Sequence, residues 1–123
     1  MKSLLVVAHG SRRAESNEEV RALTQKLADR AGEEFVQIEC AFLELAEPTI
    51  PDGLRAAITA GATDIVVVPY FLSAGRHVVS DIPSEVDKVR AECAAVTITI
   101  ANYLGAAPSL DELLLEQAYK ARE

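Results

Sequence analysis

The sequence predicts an α/β protein: a single doubly wound domain with a four-stranded parallel sheet in the order 2-1-3-4 and helices on both faces. Two observations predict this class. Short apolar runs alternate along the chain with longer segments whose apolar residues recur every three or four positions, and the first and third runs are apolar throughout. Such alternation is typical of parallel sheets with right-handed crossovers. The length of 123 residues suits one domain, residues 1–123, large enough to bury its own core.

The start of the chain predicts one strand and one helix. Residues 4–8 form a continuous apolar run, which indicates a strand covered on both faces. Residues 15–31 carry apolar side chains at spacings of three and four, which predicts a helix with one apolar stripe. Ser16 or Asn17 is the expected N-cap of this helix, and Gly32 is expected to end it.

The middle of the chain predicts two further strands separated by a helix. Residues 35–42 alternate in part between apolar and polar and are predicted to be the second strand. Thr49 is the expected N-cap of the second helix, with Pro51 in the first turn and Gly61 at the end. Residues 65–70 form the most apolar run and are predicted to be the third strand.

The last part of the chain predicts a helix, a strand and a final helix. The third helix is expected over 83–93, with a short extra turn that begins as early as His77, and the β-branched residues of 96–101 predict the fourth strand. Ser109 is expected to cap the final helix. We expect this helix to pack on the sheet, with a share in a subunit interface as the alternative. Its apolar face consists of Leu110, Leu113, Leu114, Ala118 and Tyr119.

The two histidines of the chain both follow predicted strands. His9 follows the first strand, and His77 follows the third strand after a short loop. These strands are neighbours in the predicted order, and the crevice between their carboxyl ends is the switch point at which open α/β sheets bind ligands. Glu44 follows the second strand, so we expect three side chains at one rim. Imidazole and carboxylate groups accept Co²⁺, Ni²⁺, Fe²⁺ or Zn²⁺, and three protein ligands with open positions are typical of a reactive metal site.

The acidic member of this set is open between two glutamates. Glu47 precedes Pro48, which favours an extended backbone at the end of the loop. Glu47 is therefore either a second carboxylate at the site or a solvated loop residue. The structural alternative for the histidines and Glu44 is that they bind loop backbone or face solvent.

Basic residues gather at the same predicted rim of an otherwise acidic chain. Arg12 and Arg13 follow the first histidine, and Arg76 precedes the second. Guanidinium groups bind carboxylates and phosphates through planar forks, so this cluster predicts an anionic ligand; the alternative is that these are ordinary surface arginines. Gly10 and Gly75 are expected to allow sharp turns beside the two histidines.

Composition and missing motifs exclude several classes of protein. The net charge of −7 and the pI near 4.8 argue against broad nucleic-acid binding, and no apolar run approaches the ~20 residues of a membrane span. Without GxGxxG, GxxxxGKS or GxxxxGKT, no nucleotide cofactor is expected. GxSxG is also missing, so Ser11 is expected to bind backbone rather than act as a nucleophile.

The first strand also lacks the acidic cluster that a phosphoryl-accepting receiver domain needs at its end. Cys40 and Cys93 are expected to be free thiols in a reducing cytoplasm, and the short apolar start is not expected to be a signal peptide.

Three segments resemble the small CbiX-type sirohydrochlorin chelatases of the class II chelatase superfamily. They are VVAHGSR, AFLELAEPTIPDGL and VVVPYFLSAGRHVVSDIP, in this order along the chain. The resemblance implies ATP-independent insertion of a divalent metal substrate into sirohydrochlorin. Co²⁺ for cobalamin is the first expectation, with Fe²⁺ for sirohaem or Ni²⁺ as alternatives. The resemblance also implies a homodimer, and a non-catalytic tetrapyrrole or metal carrier on the same fold is the alternative of another class.

The resemblance assigns roles to individual residues. The catalytic and metal-binding histidines fall on His9 and His77, and the acidic partner falls on Glu44, with Glu47 still in competition. Neutral histidine can act as a metal ligand or as a base that removes pyrrole protons. Sirohydrochlorin carries many carboxylates and an apolar ring, which need basic and apolar contacts. The expected substrate-binding residues are Arg12, Arg13, Arg76, Ser11, Gly75, Tyr70 and Phe71.

Overall fold

The computed structural model describes residues 1–122 and contains a four-stranded parallel sheet in the order β2-β1-β3-β4. The predicted strand order is therefore confirmed. In the ladder, Val6 lies between Cys40 of one neighbouring strand and Val68 of the other. The strands are β1 (Lys2–Ala8), β2 (Gln37–Phe42), β3 (Asp64–Pro69) and β4 (Thr97–Ile100).

Every predicted helix is present, and a π-helical turn over His77–Asp81 runs directly into the third helix. Thr49 caps the second helix as predicted, since its side chain accepts a hydrogen bond from the backbone N–H of Asp52 at 3.3 Å. Within the described residues, no helix is both long and apolar enough to cross a membrane. The helices are α1 (Ala14–Arg30), α2 (Ile50–Thr59), α3 (Ile82–Glu92) and α4 (Leu110–Ala121), with a 3-10 turn over Leu104–Ala106.

The prediction for the start of α1 is wrong. Arg13 occupies the N-cap position without a side-chain cap, and Ser16 and Asn17 lie inside the helix. The reason is that the Asn17 side chain is directed at the preceding loop, where it exchanges two hydrogen bonds with the backbone of Ser11.

The main core lies between one face of the sheet and helices α2 and α3. Leu5, Val7 and Val67 point to this face and are fully buried against side chains such as Leu54 and Val86. Helix α1 covers the opposite face beside β2. The helices therefore flank both faces, as the predicted doubly wound topology requires.

The two cysteines are free thiols in the structure, as predicted. Cys40 lies on the α1 side of β2 and is half-buried. Burial raises the pKa of the Cys40 thiol above its ordinary value because it disfavours the thiolate. This group is therefore suited to packing rather than to nucleophilic chemistry.

The expectation that α4 packs on the sheet is wrong. All residues from Asp111 to Arg122 are exposed, with Leu114 at 65% and Tyr119 at 64% of their full accessible surface. The sheet face that α1 leaves uncovered is also incompletely buried. On that face Val66 and Val68 are half-buried and the neighbouring threonines of β4 are exposed, whereas the residues between them are buried in the core. The chain thus has an unpartnered helix and an open part of its sheet.

Candidate active site at the carboxyl ends of the strands

The two histidines meet at the carboxyl-terminal rim of the sheet. The centroids of the His9 and His77 rings are 4.7 Å apart, and the rings form an edge-to-face pair at 62°. The cause is topological: β1 and β3 are adjacent and parallel, so residues that follow them arrive at the same edge. The structure therefore brings together two side chains that are far apart in sequence.

Glu44 lies beside His9 because the pairing of β1 with β2 continues past the ends of both strands. The N–H of Leu43 donates to the carbonyl of Ala8 at 2.9 Å, and the N–H of Glu44 donates to the carbonyl of His9 at 3.0 Å. Through this register, Oε1 of Glu44 lies 3.2 Å from Nε2 of His9. Glu47 is held elsewhere, since its carbonyl accepts a hydrogen bond from Arg21 of α1 at 3.0 Å.

Gly10 allows the close approach between these two loops. Its φ is +93°, in a region that favours glycine, and an added Cβ would lie 1.7 Å from the carbonyl oxygen of Glu44. The predicted need for glycine at this turn is confirmed. The carbonyl of Gly10 lies 2.8 Å from Nδ1 of His9. A carbonyl only accepts, so Nδ1 carries the proton in this contact and the lone pair of a neutral ring is on Nε2.

The electrostatics of the His9–Glu44 pair follow from that assignment. With its lone pair on Nε2, a neutral His9 faces the carboxylate of Glu44 across 3.2 Å. Two electron-rich atoms at this distance repel each other. A cation that lies between them, either a proton or a metal ion, removes this repulsion. The pair is half-exposed, so an ion can reach it from solvent.

Asn17 holds the loop that follows His9. Its Oδ1 accepts from the N–H of Ser11 at 2.9 Å, and its Nδ2 donates to the carbonyl of Ser11 at 2.8 Å. The hydroxyl of Ser11 accepts from the N–H of Arg13 at 3.0 Å, which agrees with the predicted backbone role of this serine. The Asn17 side chain is buried, so these bonds are shielded from competing water.

His77 is placed by a different device. The carbonyl of Gly75 accepts hydrogen bonds from the N–H groups of Val78 and Val79, just before the π-helical turn over His77–Asp81. Within this turn, Nδ1 of His77 lies 2.8 Å from Oδ2 of Asp81. The expectation that Gly75 is needed for a sharp turn is wrong, because its φ is not positive and an added Cβ would meet nothing within 4 Å.

The basic and aromatic residues predicted for the rim have different surroundings. Arg13 forms an exposed ion pair with Glu15 at 3.0 Å. Among residues 1–122, Arg12 and Arg76 form no ion pair, and both are exposed. Phe71 packs against the core with its ring 6.3 Å from the His77 ring, whereas Tyr70 is 41% exposed.

The recess at the rim is small. It has a volume of about 200 Å³ and is lined by Leu43, Glu44, His77, Asp81, Ser84 and Glu85. Pockets that enclose drug-sized ligands are typically about 300–1,000 Å³, so this recess suits an ion and water rather than a whole macrocycle. Within the described part of the chain, no three His, Cys, Asp or Glu side chains already surround a common point as metal ligands do. The histidines are paired instead with Glu44 and Asp81.

A larger recess lies away from the histidines. It measures about 450 Å³ and lies at the free edge of β2, between α1 and α2. Cys40 and Arg21 are among its lining residues. It lacks the paired imidazole and carboxylate groups of the rim, and the rim is therefore the better candidate for chemistry.

Two residues hold the rim in roles that the sequence does not predict. Asp81 is four residues after His77, a spacing that places two side chains on the same side of a helical turn, so the signal was present in HVVSD. Asn17 gave no comparable signal. Its spacing from Ser11 corresponds to no local motif, and only the path of the loop brings the two together.

Comparisons with known proteins agree with this fold. The CbiX family profile matches residues 3–121. The sirohydrochlorin cobaltochelatase of Methanocaldococcus jannaschii is 42% identical over 83 residues, which cover 68% of this chain and 57% of that protein. The chloroplastic sirohydrochlorin ferrochelatase of Arabidopsis thaliana is 37% identical over 102 residues, which cover 83% of this chain and 44% of that protein. The chain spans about half the length of these relatives.

A solved structure of a sirohydrochlorin chelatase has a similar fold. The sirohydrochlorin chelatase SirB from Bacillus subtilis subspecies spizizenii, determined in complex with cobalt, has a TM-score of 0.86 and 29% identity. The match covers 97% of this chain and 50% of that chain. The family profile extends over nearly all of the sequence. The chain belongs to the CbiX family.

Proposed function

We propose that this chain is a sirohydrochlorin chelatase that inserts Co²⁺ into the macrocycle without ATP. The observation that carries the proposal is the pair of histidine rings 4.7 Å apart, with a carboxylate 3.2 Å from one of them, at the switch-point rim of a CbiX-family sheet. Metal insertion needs a loosely held cation and an acceptor for two pyrrole protons. His9, His77 and Glu44 supply both kinds of group.

The proposed roles follow from the contacts of each side chain. His9 and Glu44 receive the metal ion, because Nε2 and Oε1 already face one another and a cation between them relieves their repulsion. His77 lies against His9 from the other strand and either completes the metal site or accepts a pyrrole proton. With two or three side-chain ligands at a half-exposed rim, positions stay open for the nitrogens of the ring, so the ion can be released into it.

The ring is proposed to lie over the rim rather than inside the protein, because the recess is too small to enclose it. Arg12 and Arg76 are exposed and have no ion pair among residues 1–122, so they are available to the carboxylates of the substrate. Arg13 can also bind the substrate if it releases Glu15. It would then exchange the carboxylate of Glu15 for a carboxylate of the substrate. Tyr70 and Phe71 supply apolar surface, and the backbone around Ser11 and Gly75 borders the same rim.

Cobalt is the proposed metal, with Fe²⁺ and Ni²⁺ as the alternatives. The relative from Methanocaldococcus jannaschii is named for cobalt, and so is the complex of the Bacillus protein. The Arabidopsis relative is named for iron. Histidine and carboxylate ligands accept all three ions, so the ligand set does not by itself select the metal, and a metallation assay with each ion is needed.

The working form is proposed to be a homodimer joined by α4. A helix of 12 residues is marginal in water by itself, and α4 exposes about two thirds of the surface of Leu114 and of Tyr119. The open face of β3 and β4 on the same chain offers apolar surface at Val66 and Val68. A second copy can therefore receive α4 on its sheet and return its own α4 in exchange, which closes a two-fold assembly.

This dimer would also complete the site. The N–H of Gly105, shortly before α4, donates to the carbonyl of Phe71 at 3.0 Å. The base of α4 is thus tied to the loop that leads to His77. A second copy held by α4 lies near the rim and can supply the second wall that the shallow recess lacks.

The activity is tested with the purified chain, sirohydrochlorin and Co²⁺, Fe²⁺ or Ni²⁺ side by side, followed by absorption and without oxygen for iron. We expect metallation well above the protein-free rate, with cobalt fastest. Rates equal to the protein-free rate for every ion would refute the enzyme, and tight stoichiometric binding without acceleration would instead identify a carrier.

A matched pair on one loop tests the site. Glu44→Gln is expected to lower the rate by about 10-fold or more, because it removes the charge beside His9. Glu47→Gln removes the same charge three residues away and is expected to keep the wild-type rate. Equal loss in both variants, or loss only in the second, would exclude Glu44 from its proposed role.

The dimer is tested by sedimentation at several protein concentrations. Leu114→Gln, on the apolar side of α4, is expected to shift the protein toward the monomer. Glu116→Gln introduces the same side chain on the opposite side of the helix and serves as the control. A monomeric wild-type protein, or equal dimer stability in both variants, would exclude α4 as the contact.

A further inference from the structure

We propose that Asp81 is a positioning residue that fixes His77 in one tautomer, with the proton on Nδ1 and the lone pair on Nε2. The distance of 2.8 Å between Nδ1 and Oδ2 carries the proposal. A carboxylate accepts hydrogen bonds, so Nδ1 is the donor and Nε2 is left for the ion or for a pyrrole proton. The tautomer itself is a property of this chain alone; its use in metallation rests on the proposed function.

The position of Asp81 in the fold favours this bond. Asp81 has helical backbone angles and lies where the π-helical turn runs into α3 without a break, so the N–H groups after it have no need of an N-cap. Its carboxylate is directed back to His77, four residues earlier, a spacing that places two side chains on the same side of a helical turn.

The π-helical turn explains how the contact forms. The N–H of Ile82 donates to the carbonyl of His77, five residues earlier, which widens the turn between them. Asp81 lies in this widened turn, directly beside the ring it contacts. Single π-turns of this kind are frequent at functional sites.

Other charged groups face His77 at longer range. Glu44 and Glu85 line the same recess, and His9 lies against the ring, but among the described residues Asp81 alone is within hydrogen-bond distance of a His77 nitrogen. The half-exposed carboxylate is accessible to water, so the bond is not held in place by burial alone.

The two histidines reach the same state by different means. Nδ1 of His9 faces the backbone carbonyl of Gly10, a partner that no side-chain substitution removes. Nδ1 of His77 faces a side chain that can be changed. Both rings then present Nε2, and His77 depends for this on one replaceable residue.

The chain allows a direct measurement, because it has two histidines and hence four imidazole nitrogens. In protein labelled with ¹⁵N-histidine, two-bond ¹H–¹⁵N correlations report which nitrogen of each ring carries the proton at a pH where the rings are neutral. In the wild type we expect the Nδ1–H form for both rings. Asp81→Ala is expected to shift His77, and not His9, toward the Nε2–H form that free imidazole side chains favour. An unchanged His77 tautomer in this variant would overturn the proposal.

Two further variants separate positioning from structure. Asp81→Asn keeps an acceptor oxygen and is expected to restore the Nδ1–H form at least in part. Asp87→Asn removes the same charge from an exposed position on α3, where Asp87 pairs with Arg90, and is expected to change neither ring. If both substitutions at Asp81 leave His77 unchanged, or if the control shifts it equally, the positioning role is wrong.

Function is measured on the same proteins. Loss of an outer partner of a metal-binding histidine typically lowers metal affinity or activity by about 10- to 100-fold, and we expect Asp81→Ala to weaken binding of Co²⁺ alone and to lower kcat for metallation within this range. KM for sirohydrochlorin is expected to change little, since Asp81 does not bind the ring. A wild-type protein without metallation would refute the proposed function while the tautomer result stands by itself. An active Asp81→Ala variant with unchanged Co²⁺ affinity would instead refute the use of Asp81 in that function.

Discussion

The segment around His9 is fixed by residues far from it in sequence, whereas the segment around His77 is fixed by its own helical turn. On the first side, Glu44 hydrogen-bonds to the backbone of His9, and Gly10 fits against the Glu44 carbonyl. On the second side, the Gly75 carbonyl and Asp81 lie within a few residues of His77. His9 is thus held by the pairing of β1 with β2, whereas His77 is held by its own π-helical turn at the edge of the sheet.

The two segments are therefore expected to tolerate substitution differently. Substitutions in the first segment disturb the pairing of β1 with β2 and therefore the whole fold. Substitutions in the second segment disturb the orientation of one ring and leave the core intact. Three sets of variants test this difference between the two segments, from the largest expected effect to the smallest.

The largest effect is expected at Gly10. Gly10→Ala places a Cβ 1.7 Å from the Glu44 carbonyl oxygen at a φ of +93°, so the backbone must move. We expect a loss of about 3–5 kcal/mol of unfolding free energy, or failure to fold, measured by urea denaturation. Gly75→Ala is the matched control, because an added Cβ there meets nothing within 4 Å, and its stability should stay within about 0.5 kcal/mol of the wild type or rise slightly. Similar losses in both variants would erase the difference between the two segments.

An intermediate effect is expected at Asn17. Asn17→Ala removes both hydrogen bonds to the backbone of Ser11 and leaves a buried space beside that loop. The expected loss is about 1–3 kcal/mol, or roughly 4–10 °C in Tm, measured by thermal unfolding. Gln25→Ala, on the exposed side of the same helix, should change Tm by about 2 °C at most. If Asn17→Ala leaves Tm unchanged, the loop after His9 is held by something other than this clamp.

The smallest effect is expected at the far end of α3, the helix that carries the His77 turn. Arg55 of α2 donates to both carboxylate oxygens of Glu92, at 3.0 and 2.7 Å, and this contact lowers the pKa of Glu92. A carboxyl whose pKa is lowered on folding stabilises the protein above its unfolded pKa, and this contribution is lost as the pH falls through the folded pKa. Glu92→Gln is therefore expected to lower Tm by about 1–2 °C at pH 7 and by less at acidic pH, because the pair is half-exposed.

The salt dependence of the Tm change and a variant of the neighbouring Asp52–Arg55 ion pair add two controls. The effect of Glu92→Gln should shrink in high salt, since exposed ion pairs are screened. Asp52→Asn removes the other, weaker carboxylate partner of Arg55 and should have a still smaller effect. A Tm change at pH 7 that is independent of salt and pH would show that Glu92 acts through packing rather than charge.

The alternation of apolar runs and helical stripes predicts each strand and each helix because these patterns are local and repeat over many residues, whereas the strand order 2-1-3-4 is the commonest one for so short an α/β chain. The rim position of the histidines followed from that topology, since the ends of adjacent parallel strands share one edge. The start of α1 was predicted wrongly, because Asn17 favours a cap in its local context and a clamp in the folded chain. The need for glycine was right at Gly10 and wrong at Gly75, because only φ and the approach of a distant carbonyl distinguish the two.

The sequence alone is enough to predict the strands, the sheet and the arrival of His9, Glu44 and His77 at one rim, because hydrophobic periodicity and short connections leave few other topologies. The tertiary structure decided which atoms face one another: Glu44 rather than Glu47 beside His9, Asp81 beside His77, and α4 extended from the sheet. The physical reason is the sequence separation of the residues involved. Hydrophobic periodicity depends on residues that are close in sequence, whereas a hydrogen bond of about 3 Å depends on backbone angles and on segments that are distant in sequence.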